Sequence, residues 1–542
     1  MGVTDPTSEL PTHTVENQPG PRVAELWRDA ALQDGLAAHR GDIAAARGLA
    51  QALSQPQMQE AGRQANRHAP QLRLFDAAGR RLDEVEFHPS YHWLLGLGLE
   101  HGYAACAWED GARGGHVTHA AMVYLMNQVE PGVCCPMTMT YAAVPAMSAD
   151  AALAQSWVPK LTARHYDPSV VPLSGKTAAT LGMAMTEKQG GSDVRANTTR
   201  AEPDGDDYRL FGHKWFCSAP MSDGFLTLAQ APGGLTCFLV PRWLEDGSRN
   251  AIHLMRLKDK LGNRANASAE IEYHGAFAHR LGEEGQGVRT IIEMVHHTRL
   301  DTAVAPAGLM RAALGEALHW CAGRSAFQRR LIDQPLMRAV LADLALDVEG
   351  ALALGLRVAA AYDDPDQRPF ARIAVALAKF LNNKRAPGVI YECMEALGGM
   401  GFVEDTPMPQ LYREAPLNSI WEGSGNVICL DVLRTLAREP EASEALIHEL
   451  RSVLGADARY DQALAEHARL WSSPAGEAEA RLFTERTATL LTAAALIKTA
   501  PSAVAEGYVA SRVIGDRGHV AGTVSGLDVD AILARVMPSG SG

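Results

Sequence analysis

Apolar positions along the chain change rhythm three times. From Arg22 to about Leu181 helix formers dominate. Ala, Leu, Gln and Arg crowd 23–67, and PSYHWLLGLGLEHGYAACAW (89–108) is rich in apolar and small residues. Residues 69–88 are more irregular and read as a connecting arm. Between 208 and 280 β signals concentrate. FLTLAQAPGGLTCFLVP (225–241) gives two short apolar runs around Gly233-Gly234, a hairpin signal. AEIEYHGAF (269–277) alternates with period two, and YRLFGHKWFCS (208–218) opens a strand after the turn DGDD. From Gly285 the helical period returns. Met337, Leu341, Leu344, Val348, Leu352 and Leu356 form one buried stripe, with Pro335 suited to the first turn of its helix. A second long helix fits 371–399, and Pro387 inside it predicts a kink or a break. After Arg438 the chain becomes a charged, Ala-rich helical tail with Ser and Pro breaks at 472–474 and 501–502.

This order predicts a mainly α protein with a central β-domain. The expected units are a helical domain with an arm (1–181), a middle β-domain (182–284), a helical bundle (285–439) and a further helical domain (440–542). At roughly 150 residues per domain, 542 residues suit about three or four units.

Composition narrows the function classes. With 47% hydrophobic and 21% charged residues the chain is globular rather than disordered. A formal charge of −13 argues against a surface that binds nucleic acid throughout, but leaves room for one basic patch. The eight cysteines form no CxxC pair, so zinc ribbons and thioredoxin-type sites have no support, and the pattern fits a reducing compartment. The uncharged window 131–149 is long enough for a membrane span, yet it holds Pro131, Pro136 and Pro145. It reads instead as a buried loop with short helices. The first residues lack a basic n-region and an apolar h-region, so the expected location is cytoplasmic.

Three constellations carry chemistry. GMAMTEKQGGSDVRANTTRA (182–201) sets the hydroxyls of Thr186 and Ser192 around Gly190-Gly191, where backbone can approach an anion or a heterocycle closely. Alone, a Gly-Gly-Ser turn is usually only a turn, and GxGxxG is absent. GHKWFCSAPMSD (212–223) places Trp215-Phe216 just before Ser218, and such aromatics on a strand are more often core than cofactor platform. In LGGMGF…LYREAPLNSIWEGSGNVICLDVLR (397–434), Glu422 lies between Trp421 and the run Gly423-Ser424-Gly425. A carboxylate beside an indole and poorly solvated backbone has a raised pKa and suits a general base; the plainer reading is a helix-start glutamate favoured by the dipole.

Taken together and in this order, the chain resembles the acyl-CoA dehydrogenases, a flavoprotein family, and among them the alkylation-response, AidB-like branch. The resemblance runs from THTVENQPGP (12–21) to the helical tail, and its most specific strings are MTEKQGGSDV, GHKWF, RLKDKLGNRANAS, QPLMR and NSIWEGSGN. Lys188-Gln189 replaces the general family's TEP form. The resemblance implies an N-terminal helical domain, a β-barrel-like middle domain, a C-terminal four-helix bundle, an extra helical domain, homotetramers and FAD. It places Met183, Met185, Thr186, Gly191 and Ser192 at the flavin ring and pyrophosphate. Phe216 falls where an aromatic covers the flavin, with Cys217 beside it and Ser218 at its edge. Gly423, Ser424 and Asn426 fall at the adenosine half. Arg324 and Phe327 match a segment through which a neighbouring subunit grips FAD, and Gln328 stands where that segment has Gly. Glu422 takes the position of the general base; the family's minor alternative position holds Thr298, which cannot deprotonate an α-carbon. The substrate class implied is an acyl-CoA thioester.

AidB-like proteins are also known to bind double-stranded DNA through the C-terminal region. From Glu441 onward there are nine basic and thirteen acidic residues, so the tail is not basic overall. Lys498, Arg512 and Arg517 sit where local acid is sparse, and Arg434 lies near a helix end, which makes these four the candidates for phosphate contacts. Two readings stand: a DNA-associated flavoprotein of the alkylation response with weak dehydrogenase chemistry, and a metabolic dehydrogenase of short or branched acyl-CoA.

Overall fold

The computed structural model describes residues 17–537 apart from 110 and 112, so the first residues and part of the string at 12–21 lie outside the described residues. Helices α1 (Ala30–Ala38), α2 (Ile43–Leu53) and α3 (Pro56–Arg67) lead to strands β1 (Gln71–Phe75) and β2 (Arg81–Glu86). Asp29 and Asp42 cap α1 and α2 by accepting from first-turn amides. The segment expected to be an irregular arm is therefore an antiparallel hairpin. It is bound to the middle domain: Leu254 N donates to Asp83, and Arg249 and Arg81 close on the same carboxylate. Then come α4 (Pro89–Glu100), α5 (Gly115–Met126), α6 (Cys134–Met147) and α7 (Ala151–Leu161).

The window 131–149 departs from expectation. It is one buried helix, α6, after a single turn of tighter helix, and not a loop with short helices. Pro136 lies in the first turn, where an amide has no intrahelical partner. Pro145 frees the Tyr141 carbonyl, which accepts from Trp108 Nε1 at 3.1 Å.

The middle domain contains β3 (Leu181–Ala184), β4 (Arg200–Asp204), β5 (Asp207–Ser218), β6 (Gly224–Ala231), β7 (Gly234–Pro241), β8 (Ile252–Leu257) and β9 (Ser268–Leu281). β6 and β7 form the expected hairpin, with Ala231 opposite Gly234. β7 pairs β9, β9 pairs β5, β5 pairs β4, and β4 touches β6, so the sheet closes on itself like a barrel. β3 adds parallel to β6 and β8 adds to β9. Its interior is a core of its own, containing Leu210, Cys217, Phe238, Val240 and Ile271.

The long helices are α8 (Gly287–Gly323), α9 (Pro335–Tyr362) and α10 (Arg368–Ala396), followed by the short α11 (Met408–Glu414) and then α12 (Gly425–Arg438). Between α8 and α9 a tight hairpin, β10 (Ser325–Ala326) with β11 (Arg329–Arg330), projects outward. Five of the six residues of the expected stripe on α9, Leu341, Leu344, Val348, Leu352 and Leu356, are buried, and Met337 in its first turn is half-buried. α10 runs through Pro387 without the break the sequence suggested. Cross-helix hydrogen bonds stitch it in place one turn earlier. Asn382 Nδ2 donates to the Ala303 and Ala351 carbonyls, and Asn383 Nδ2 to the Thr302 carbonyl. The tail forms α13 (Pro440–Arg451), α14 (Ala458–Leu470), α15 (Ala480–Thr499), α16 (Ser502–Tyr508) and α17 (Val529–Ala534), of which α15 packs on α9, α10 and α12. Among the described residues no helix is long and apolar enough to cross a membrane, and all eight cysteines are unpaired and buried.

Candidate functional site

The loop after β3 is held open by a buried ion pair inside the same motif region. Glu187 and Lys214 are both fully buried and 2.9 Å apart. Glu187 also accepts from Thr198 N, Thr198 Oγ1 and Thr199 N. Burial opposes its charge, but Lys214 and these donors outweigh burial and keep the carboxyl below its usual range. The Met185 carbonyl accepts from Asn197 Nδ2, and the Thr186 carbonyl from Trp215 N. A Cβ at Gly191 would meet Thr186 Oγ1 at 2.5 Å, so any side chain there would displace the Thr186 hydroxyl. Ser192 is exposed beyond it, and Met183 lies on β3, half-buried.

At the end of β5 the strand alternation sorts three expected contacts. Phe216 leaves about half its ring exposed (49%), while Cys217 is fully buried in the barrel core. Cys217 thus points away from the face that carries Phe216 and Ser218, and only its backbone is left for a cofactor. Lys258 Nζ stands 3.4 Å from the Trp215 ring centroid and 4.8 Å from that of Phe216, steadying the aromatic pair. Ser218 Oγ lies 3.3 Å from Ser268 Oγ. Cys135 at the start of α6 neighbours Ser218 and Asn266. Burial first, and the Glu422 charge further, push its thiol up to about 12.

Glu422 lies in the connection between α11 and α12. Its φ is +56°, a left-handed conformation that costs a residue other than glycine about 1–3 kcal/mol. Its carboxylate accepts from Thr298 Oγ1 at 2.6 Å. Burial pushes the carboxyl above its ordinary range, against the Thr298 hydrogen bond and the charges of Arg299 and Lys379. Arg299 Nε donates to the Glu422 carbonyl at 3.2 Å, and its Nη1 to Asp431 at 3.0 Å. Buried Lys379 on α10 donates to the carbonyls of Asn418 (2.9 Å) and Gly423 (2.8 Å). The sequence reading did not name Cys135, Arg299 or Lys379. Arg299 had a signal, being next to Thr298; the other two depend on helices brought together from far along the chain.

Ser424 precedes α12, and its side chain caps nothing. Asn426 is exposed and accepts from Arg481 Nη1 of α15 at 2.9 Å. Gly423 has φ +101°. Arg324 ends α8 and donates to the Asn17 carbonyl at 2.9 Å. Phe327 is 95% exposed at the tip of the β10–β11 hairpin. Gln328, in place of glycine, still adopts φ +64°, so the turn keeps its shape. The string RLKDKLGNRANAS is a clamp: Asn263 Nδ2 donates to buried Glu414 at 2.9 Å.

Each of the four DNA candidates lies beside a carboxylate. Arg512 is buried and bound to Asp343 and Asp347 of α9, which removes it from the candidates. Arg517 sits 3.5 Å from the same Asp343, and Lys498 Nζ donates to Glu449 at 2.7 Å. Arg434 keeps 61% of its side chain exposed, 3.8 Å from Asp431. The acids beside these cations lie on α9, α12 and α13, and a count of charges along the tail does not show which of them pair.

Known proteins match this arrangement in order. Residues 17–168 fit the adaptive response protein AidB N-terminal domain, 182–276 the acyl-CoA dehydrogenase middle domain and 285–437 the acyl-CoA dehydrogenase C-terminal domain. The chain is 46% identical to the putative acyl-CoA dehydrogenase AidB of Escherichia coli over 86% of its own length and 88% of that protein's. It is 33% identical to acyl-CoA dehydrogenase family member 11 of Caenorhabditis elegans, over 75% and 69% of the two chains. The crystal structure of C. elegans ACDH-11 in complex with C11-CoA superposes with a TM-score of 0.83 at 29% identity, covering 95% of this chain and 94% of that one. The barrel, the long helices and these matches agree: the chain belongs to the acyl-CoA dehydrogenase family, in its AidB-like branch.

Proposed function

We propose that the chain is an FAD-dependent acyl-CoA dehydrogenase-type oxidoreductase with slow turnover, in which Glu422 takes the α-proton of an acyl thioester. The observation that carries this reading is the Glu422–Thr298 contact. Among the described residues it leaves a carboxylate with one hydroxyl partner and no paired cation at its oxygens, near Cys135, which in turn neighbours Ser218 at the end of β5. The residues present fit FAD. The glycine turn at 190–191 gives backbone access, Phe216 offers an open ring face, and Ser218 a hydroxyl at its edge. Met183, Met185, Thr186, Gly191 and Ser192 would hold the ring and pyrophosphate, and Gly423, Ser424 and Asn426 the adenosine half. Bound there, FAD would supply the acceptor for a hydride from the β-carbon.

The chain's own part is positioning and proton removal. Thr298 orients the Glu422 carboxylate, and its raised pKa keeps it basic enough to take a weakly acidic proton. A cleft of about 540 Å³ opens between the middle domain and the start of α8, lined by Arg195, Gln230, Leu235, Gln286, Arg289 and Ile292. Its two arginines suit the phosphates of coenzyme A. From Arg289 at the cleft the helix rises about 13 Å to Thr298 at the base. The exposed Phe327 supports a homotetramer in which this hairpin meets a neighbouring subunit. The test is anaerobic mixing of the FAD-loaded protein with thioesters from butanoyl-CoA up to the C11 acyl chain. Flavin bleaching is expected. A flavin that stays oxidised with every thioester, or a Glu422→Gln variant that bleaches as fast, overturns the reading.

A second reading, non-specific association with double-stranded DNA in the alkylation response, is favoured by the match of residues 17–168 to the adaptive response domain. Its contacts would be to phosphates, with Arg434 the most available of the four candidates. Gel-shift binding to random duplex at low salt tests it, and no shift there ends it.

A further inference from the structure

Lys379 is a fully buried lysine (1% exposed) in the middle of α10, and no function assigned above uses it. Its Nζ has two hydrogen-bond acceptors, both main-chain carbonyls and both in the connection that carries the base: Asn418 O at 2.9 Å and Gly423 O at 2.8 Å. These two carbonyls bracket Trp421 and Glu422. Trp421 closes the same bracket from within, its Nε1 donating to Asn418 Oδ1 at 2.7 Å. Inside the bracket Glu422 and Gly423 take consecutive left-handed backbone conformations, φ +56° and +101°. The strained pair needs an outside support, because nothing in a Trp-Glu-Gly sequence favours that geometry at glutamate.

We infer that Lys379 is the positioning residue of the base: its two hydrogen bonds hold the 418–423 connection in the strained form that points the Glu422 carboxylate at Thr298. The assignment of a positioning role rests on the reading of Glu422 as a base, but the loop-holding itself does not. Lysine suits the task. A neutral amine still has two N–H groups for the two carbonyls, so the bracket survives loss of the charge. The charge has a separate effect. The charged and titratable groups that face Nζ are Glu422 in the loop, Arg299 on α8 and Lys384 on α10 itself. Burial, and then Arg299 and Lys384, bring Lys379 down to about 7 against the pull of Glu422. While protonated it favours ionised Glu422.

The test uses the full-length FAD-loaded protein and its Lys379→Met and Lys379→Arg variants. Methionine fills nearly the same buried volume and removes both hydrogen bonds. Hydrogen exchange is read on the amides of 420–424, with the rest of the chain as control. Lys379→Met is expected to exchange about tenfold faster there and unchanged elsewhere, the size of losing a buried hydrogen bond from a charged donor. Exchange unaltered in that segment overturns the inference, whether or not any thioester is turned over. On a thioester that the wild type oxidises, kcat is expected to fall about 10–100-fold with little change in KM. The acid limb of the pH profile is expected to move upward, since a cation near Glu422 is gone. Mere loosening would admit water and move that limb the other way, which also overturns the role. Lys379→Arg, if folded, restores the slow exchange through its own donors. Failure of the wild type to oxidise any thioester overturns only the assignment of Glu422, and the exchange result still decides the loop.

Discussion

Two buried charge clusters serve different parts of the molecule. At the loop after β3, Glu187 meets Lys214, and the two partners come from neighbouring strings that the sequence singles out. In the tail, Arg512 meets Asp343 and Asp347, partners 169 and 165 residues away along a chain in which nothing local connects them. The first cluster shapes the loop proposed to hold the flavin. The second ties an added helical domain to the bundle and faces nothing. A basic residue in an acid-poor stretch is therefore no guide to a free cation when the domain docks on an acidic helix.

The sharpest way to break this contrast is Arg512→Gln. It removes the cation that two buried carboxylates share, leaving Asp343 only the Arg517 cation at 3.5 Å, and should cost about 3–5 kcal/mol, read as a lower urea midpoint. FAD content at low temperature should stay unchanged, whereas Lys214→Met should lose FAD as well as stability. A tail that stays folded in Arg512→Gln would return that residue to the DNA candidates. Acid gives the next effect. Burial raises the Glu449 carboxyl, but the hydrogen bonds and charges of Arg357 and Lys498 prevail and hold it down to about 2 from 4.5. Because the folded value is the lower one, its stabilisation is complete above pH 4.5 and is lost as the pH falls toward 2. The amount is about 3 kcal/mol, so Tm should drop steeply in that window and less so in Glu449→Gln.

At the other end of the comparison, Glu422→Gln should keep FAD and reduce thioester oxidation at least about 10²-fold. Wild-type oxidation should rise with pH through the raised Glu422 value, since the base must be ionised. Stopped-flow bleaching across pH checks both. The smallest effect is expected for Arg434→Gln. If duplex DNA binds, the log–log salt slope should shrink by about one unit and all sequences should weaken alike. An unchanged slope removes Arg434 from any phosphate contact.

Much of the fold could be read from periodicity alone. The β6–β7 hairpin follows from two apolar runs around adjacent glycines, and α9 from its leucine stripe and Pro335. Glu422 stood out through its neighbours. What stayed hidden was long-range. Lys379 and Arg299 reach the base from two helices, and no spacing in the sequence brings them together. Cys217 was grouped with Phe216 and Ser218 although strand alternation turns it to the opposite face. Residues 69–88 lacked a clean period because the hairpin is short and its polar residues, Arg81 and Asp83, are spent on binding β8 and Arg249. Prolines were given too much weight as helix breakers, for a reason visible in their surroundings.

Pro306 sits in the middle of α8 and leaves the Thr302 carbonyl without its helical donor; that carbonyl is the one to which Asn383 Nδ2 donates at 2.8 Å. Pro145 and Trp108 repeat the arrangement on α6. Each proline is thus half of a coupled pair. Replacing Pro306 by alanine would restore an amide that competes with Asn383 for one oxygen, and replacing Asn383 alone would orphan the oxygen. Substitutions at Pro306 and Asn383 are therefore expected to be tolerated better together than singly, and a residue usually counted as a defect acts as a socket.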